Sequence, residues 1–147
     1  MNNIEIVNLT RRRIDKNFIK KIIDRILKFI NLKKIDNLNI VFVGDRRIKV
    51  LNKKYKGKNR ITDVLAFNYS SESFLDKIFT REGEIIICLS QADRQAKKFG
   101  HSFKKELVIL LIHGLLHLKG YNDETPEEQK KMFKEQVKIF QKIKQGL

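Results

Sequence analysis

The sequence has a single cysteine, Cys88, so no internal disulfide can form. It stands in an apolar, strand-like run (Ile85 to Leu89) and reads as a buried, inert thiol in a reducing, cytosolic setting. No stretch is suited to a bilayer: the apolar run Leu107 to Leu118 is too short and is interrupted by two histidines. No leader is expected, because Met1–Asn2–Asn3 runs directly into a strand-like segment. Repeats and linkers are absent, so residues 1–147 are read as one domain, long enough for a core of its own. Acidic residues are scarce in one part only. Residues 1–60 hold 18 Lys and Arg against 5 Asp and Glu, whereas residues 61–147 hold 14 against 12. A chain of net charge +15 with its excess placed this way has the electrostatic footprint of a polyanion binder. Nucleic acid is favoured over an anionic membrane, since no strongly basic amphipathic segment stands apart from the core pattern.

Against these absences, HGLLHLKGYND at residues 113–123 stands out. His113 and His117 are four apart and project from one helical face, with Cβ atoms about 6 Å apart. Two histidines at that spacing are unremarkable on a surface helix. Here the surrounding run is almost continuously apolar, and two unpaired imidazoles buried there would each cost free energy unless something binds them. Gly120 is a helix stop, and the reversed chain can return Asp123 as a third ligand. Two imidazoles and a carboxylate suit zinc, one ion per chain, with a fourth position left for water or substrate.

The rest of the chain predicts β α β α β β α α α. Strands are expected at Ile4–Leu9, Leu38–Val43, Thr62–Tyr69 and Glu84–Leu89. Apolar spacing predicts a helix from Asp15 to Ile30 with Asp15 as N-cap, and a short one from Asp45 to Tyr55 that Gly57 ends. Ser90 is the expected cap of a helix reaching Phe99, and Ser102 starts the histidine helix. Thr125-Pro126-Glu127-Glu128 is a capping box opening a last helix, whose apolar side carries Met132, Phe133, Val137 and Phe140. Residues 70–82 show no firm pattern and are expected to form a mobile loop. Helix-joined strands favour parallel pairing and loop-joined strands antiparallel pairing. The fold class is therefore α/β (α+β): one mixed sheet of about four strands, surrounded by helices, with the histidine helix its most buried companion.

The spacing H-x3-H-x2-G-x2-D matches the layout of zinc peptidases. Their glutamate beside the first histidine is missing, because Gly114 holds that place, and this disfavours peptide hydrolysis. Glycine inside a helix also suggests a close approach at that position, or is equally a tolerated glycine of modest cost. Phosphodiester cleavage asks for less: a metal that polarises a phosphoryl oxygen or acidifies water, a cation for the phosphate, and a groove. Lys53, Lys54, Lys56, Lys58 and Arg60 supply cations, with Tyr55 among them as a stacking surface. Read alone, this run would equally be a solvated loop.

The segment HGLLHLKGYND resembles the HGxLHLxGYDH signature of the YbeY family of bacterial ribosomal-RNA maturation endoribonucleases. LNKKYKGKNRITDVLAF at 51–67 is similar to that family's LNxxYRGKxxPTDVLSF, GEIIIC at 83–88 to its GDIVIS strand, and GHSFKKEL at 100–107 to the stretch before its metal helix. The resemblance implies a metal-dependent, single-strand-specific endoribonuclease acting in small-subunit ribosomal RNA 3′-end maturation and ribosome quality control. It implies a mixed sheet with surrounding helices, single-stranded RNA and the small ribosomal subunit as partners, and a cytoplasmic location. It carries His113 and His117 over as zinc ligands, and assigns His113 and Lys56 to catalysis. Lys56 stands where the family has an arginine, keeping the charge without the bidentate fork. Ile61 replaces a proline. Asp123 stands where the family has a third histidine; Glu124 is the alternative ligand. Glu106 and Asp63 are candidate general bases, although an ordinary structural carboxylate is the favoured reading of each. Two rival readings remain at this stage, a ribosome-associated RNA-binding factor with a weak or structural metal site and a zinc peptidase.

Overall fold

In the computed structural model, residues 3–32, 35–72, 79–145 and 147 are described. Their order is β1 (Asn3–Asn8), α1 (Lys16–Leu27), β2 (Asn37–Val43), α2 (Asp45–Lys56), β3 (Val64–Glu72), β4 (Phe79–Cys88), α3 (Leu89–Phe99), α4 (Phe103–Lys119) and α5 (Pro126–Ile143). The four strands form one mixed sheet in the order β1-β2-β4-β3. β1–β2 and β2–β4 are parallel, and β3–β4 is antiparallel, as the connections require. Strand alternation then sorts the side chains. Ile6, Ile40, Ile85 and Ala66 share one register line and face the larger core, beneath α1, α4 and α5. Leu65, Ile86, Cys88 and Val43 face the other way, where Ile48 of α2 covers them. β4 is covered on both faces, and its run Ile85-Ile86-Ile87-Cys88 is wholly buried.

The helix starts divide into two kinds. Asp15 accepts from the Phe18 amide, and Ser102 from the Lys105 amide, each at 3.1 Å. Thr125 and Glu128 close a reciprocal capping box. Asp45 and Ser90 do not cap. Gly44 and Cys88 hold the N-cap positions of α2 and α3. Ser90 instead donates to Asp45 at 2.7 Å, and Arg94 grips the same carboxylate at 2.7 and 3.1 Å, so the two first turns are tied to each other. That ring of donors, Arg94 first, holds the Asp45 pKa down at about 2. Burial raises the Cys88 thiol pKa, keeping it protonated, as expected of an inert thiol.

Three other expectations change. Within the expected loop at 70–82 the described residues are strand, since β3 runs to Glu72 and β4 begins at Phe79; residues 73–78 lie outside the described residues. Arg11–Arg12–Arg13 reads from sequence as a solvated basic cluster, but Arg12 lies 3.3 Å from Asp93 and stacks over the Phe103 ring. On α5 the buried stripe is Met132, Ile139 and Ile143, while Phe133 is 65% exposed and Val137 43%. Packing against α4 and α1 selects the stripe with the longer run of aliphatic side chains.

α4 is the most buried helix. Leu107, Val108, Leu110, Leu111, Ile112, Leu115, Leu116 and Leu118 are all in the core, and His113 and His117 are half-buried positions inside that run. Gly114 faces β4: a Cβ there would meet Ile85 side-chain carbons at 2.8, 3.0 and 3.2 Å. The close approach expected of this glycine is the sheet itself. It lets α4 lie low enough on β4 to turn both histidines toward the β3 edge. Among the described residues, no helix is long and apolar enough to cross a membrane.

Candidate metal centre

The seat of the site is the last two turns of α4 and the reversal that follows. Gly120 ends the helix at φ +116°, a left-handed value that side-chain-bearing residues avoid. The Gly120 and Tyr121 amides return to the His117 and Leu116 carbonyls, each at 3.0 Å. Asn68 of β3 donates to the Leu118 carbonyl at 3.2 Å, and Gln129 of α5 to the Asp123 carbonyl at 2.9 Å. The turn is thus held from both sides, and it brings Asp123 back over the two imidazoles.

The three ligand atoms form a small triangle. His113 Nε2 and His117 Nε2 are 3.0 Å apart, and Asp123 Oδ2 lies 3.4 Å from the first and 3.3 Å from the second. A tetrahedral zinc site with bonds of about 2.0–2.1 Å has ligand–ligand edges of about 3.3–3.4 Å. The donor set, two imidazole nitrogens and one carboxylate oxygen, and the size of the triangle therefore fit that ion. Among the described residues this is the group of His, Cys, Asp and Glu side chains close enough to share a metal. Glu124 lines the same cleft but lies outside the triangle.

Each imidazole is prepared differently. His113 Nδ1 donates to the side-chain oxygen of Gln136 on α5, which leaves a lone pair on Nε2 facing Asp123. Burial, and next the neighbouring His113, hold His117 below the usual histidine range against the opposing pull of Asp123. A neutral imidazole is the form a metal requires.

The triangle opens into a cleft of about 230 Å³. Lys56, Lys58, Arg60, Thr62 and Asp63 line its other wall with Asn52. Asn52 is 3% exposed and its amide donates to the Arg60 carbonyl at 3.0 Å, while the Lys58 amide returns to the Asn52 carbonyl. This one buried side chain folds the basic loop against α2, so Lys56, Lys58 and Arg60 point where the histidines do. Asp63 accepts from the Val64 amide at 2.8 Å and from Gln95 at 3.2 Å. The same Gln95 amide reaches buried Glu106, which also meets His101 Nε2 at 2.7 Å. Glu106 lies in this supporting network rather than in the cleft lining.

The profile of the family described as endoribonuclease YbeY matches residues 2–144, nearly the whole of this sheet, helix and cleft. The chain belongs to the YbeY family. Endoribonuclease YbeY of Brevibacillus brevis is 36% identical over 155 residues, covering 97% of this chain and 98% of that one. Endoribonuclease YbeY of Phytoplasma australiense is 40% identical over 116 residues, covering 78% and 80%. The solution structure of TM1509 from Thermotoga maritima is similar with a TM-score of 0.61 at 30% identity, covering 95% of this chain and 87% of that one.

Within this YbeY-family chain, His113, His117, Asp123 and Lys56 all line one cleft. No sequence motif singles out Gln136, and Asn52, although it is the fixed asparagine of the LNxxY motif, was given no role. Gln136 leaves a faint signal, a polar residue in line with Met132, Ile139 and Ile143 on the buried stripe of α5. Asn52 leaves a clearer one, as the asparagine of the LNxxY motif, but in a polar helix nothing marks it as buried.

Proposed function

We propose that the chain is a one-domain, cytoplasmic, metal-dependent endoribonuclease that hydrolyses single-stranded RNA. Zinc is its ion, held one per chain by His113, His117 and Asp123. Its substrate is the 3′ end of small-subunit ribosomal RNA, and its setting is ribosome maturation and quality control at the small subunit. The observation that supports this most is the meeting of two chemistries in one cleft: a zinc-sized triangle of ligand atoms, and a wall of three cations. Membership of a family named for endoribonuclease activity supports the substrate class.

A bound ion supplies Lewis-acid chemistry, polarising a phosphoryl oxygen and acidifying the attacking group. The chain's own residues do the rest. Lys58 and Arg60 of the cleft wall neutralise phosphates of the strand, and Arg60 can do so through two parallel hydrogen bonds. Lys56 meets phosphate as a point charge. Gln136 fixes the His113 ring so that Nε2 stays unprotonated, and Gln129 fixes the turn that carries Asp123. Asp123 brings a negative charge that a third imidazole would not, which softens the ion's Lewis acidity and suits harder cations.

A single-turnover assay with single-stranded RNA, wild type beside His113→Ala, tests the reading together with metal analysis. Cleavage that needs metal and is lost in the variant is the expected result. Intact RNA with retained, salt-sensitive binding would overturn it and leave an RNA-binding factor.

A further inference from the structure

Beside the cleft, on the far side of β3, two aromatic rings lie at the surface. Tyr55, in the last turn of α2, is 54% exposed. Its ring packs at 5.2 Å and 57° against Phe67 of β3, whose inner side rests on the smaller core with Leu51 and Val41. Lys54 Nζ lies 5.2 Å from the Tyr55 ring, and Lys56 Nζ 5.4 Å from the Phe67 ring. Lys56 also lines the cleft, and so does Ala66, the residue before Phe67. Neighbouring residues of a strand point to opposite faces about 3.3 Å apart along it. The edge of β3 is therefore all that separates the metal triangle's cleft from the ring pair, and Lys56 spans that edge.

An exposed tyrosine face braced by a half-buried phenylalanine and flanked by two ammonium groups combines what single-stranded nucleic acid requires. The rings offer a π-face that any base can stack on, and the lysines meet the phosphates on either side. Lysine held over a ring in the free protein by cation–π attraction would move to phosphate, leaving the ring face open. We propose that the Tyr55–Phe67 pair is a base-stacking subsite for a nucleotide adjacent to the phosphate held in the cleft. This site rests on the endoribonuclease reading. It explains how a cation-walled cleft grips an unpaired strand in preference to a duplex: only an unpaired base can swing over the β3 edge and lie on Tyr55.

The test is an anisotropy titration, in EDTA to prevent cleavage, with labelled single-stranded oligoadenylates that carry one abasic ribose at each position in turn. Wild type is expected to lose about tenfold or more in affinity when the base over the platform is removed, the scale of one base–aromatic stack. Tyr55→Ala is expected to bind the complete oligomer about as weakly, and to be indifferent to the abasic position. Tyr55→Trp is expected to restore the difference. Thermal unfolding of each variant separates loss of the ring from loss of the fold, and the abasic scan on wild type needs no variant. A flat abasic scan, or a folded Tyr55→Ala that binds like wild type, overturns the subsite while leaving the nuclease reading intact. Wild type that neither binds nor cuts RNA removes both.

Discussion

Gln136 controls which nitrogen of His113 faces the cleft. A neutral imidazole carries one hydrogen, and the amide oxygen of Gln136 can only accept, so that hydrogen stays on Nδ1. Without the acceptor, the hydrogen is free to occupy Nε2, the atom 3.4 Å from Asp123, and block coordination there. Gln136→Leu, of similar volume but without the oxygen, is expected to weaken zinc binding about 10–100-fold, as measured by competition with a chelating dye. Gln136→Glu keeps the acceptor and is expected to bind at least as tightly as wild type. Equal affinity in all three proteins would leave the His113 tautomer set by something other than α5.

Between elements, the clamp at Asp45 joins α2, which carries the basic loop, to α3, which follows the central strand. Its carboxylate has a pKa of about 2 against an ordinary 3.8, so the folded form prefers it ionised. The stabilisation is fully present above pH 3.8 and is lost as pH falls toward 2. Asp45 and Arg94 are both partly exposed, so solvent screening limits the contribution to about 1 kcal/mol. Asp45→Asn is expected to be less stable than wild type by that amount in urea at neutral pH, with the gap closing between pH 4 and pH 2. A gap independent of pH would mean that the clamp acts by packing rather than charge. The same clamp shows where the sequence was legible and where it was not. Asp15, Ser102 and Thr125 were readable as caps because each bonds a backbone amide within its own first turn. Asp45 and Ser90 have the same chemistry and also stand at helix starts, though inside the first turn, yet each finds its partner 45 residues away. Nothing local signals such a choice. The histidines and Asp123 were readable for the opposite reason: they span eleven residues, from 113 to 123, and a helix followed by a glycine turn determines where they meet. Gln136, 23 residues from His113, belongs to the first kind.

For the molecule as a whole, the +15 charge and the cleft work at different ranges. Charge spread over residues 1–60 draws a polyanion in and is screened beyond about 8–10 Å at physiological salt. Lys56, Lys58 and Arg60 act at close range, from the cleft wall itself. The two contributions separate in a salt titration. Single-strand affinity is expected to fall log-linearly with salt, and Lys58→Ala with Arg60→Ala to flatten that slope by about 1.4, or about 0.7 for each phosphate left without its cation. Lower affinity with an unchanged slope would place those two side chains away from the phosphates.

The two imidazoles cannot shift without α4, and α4 is seated on Ile85 with no room for one more carbon at Gly114. Residue 123 sits on a solvent-facing reversal, tethered through its carbonyl by the Gln129 side-chain amide in a way that does not depend on its own side chain. In the proposed enzyme the ion's address would thus be written in the interior and its hardness on the surface, so that one position would retune the metal preference while the architecture stays as it is.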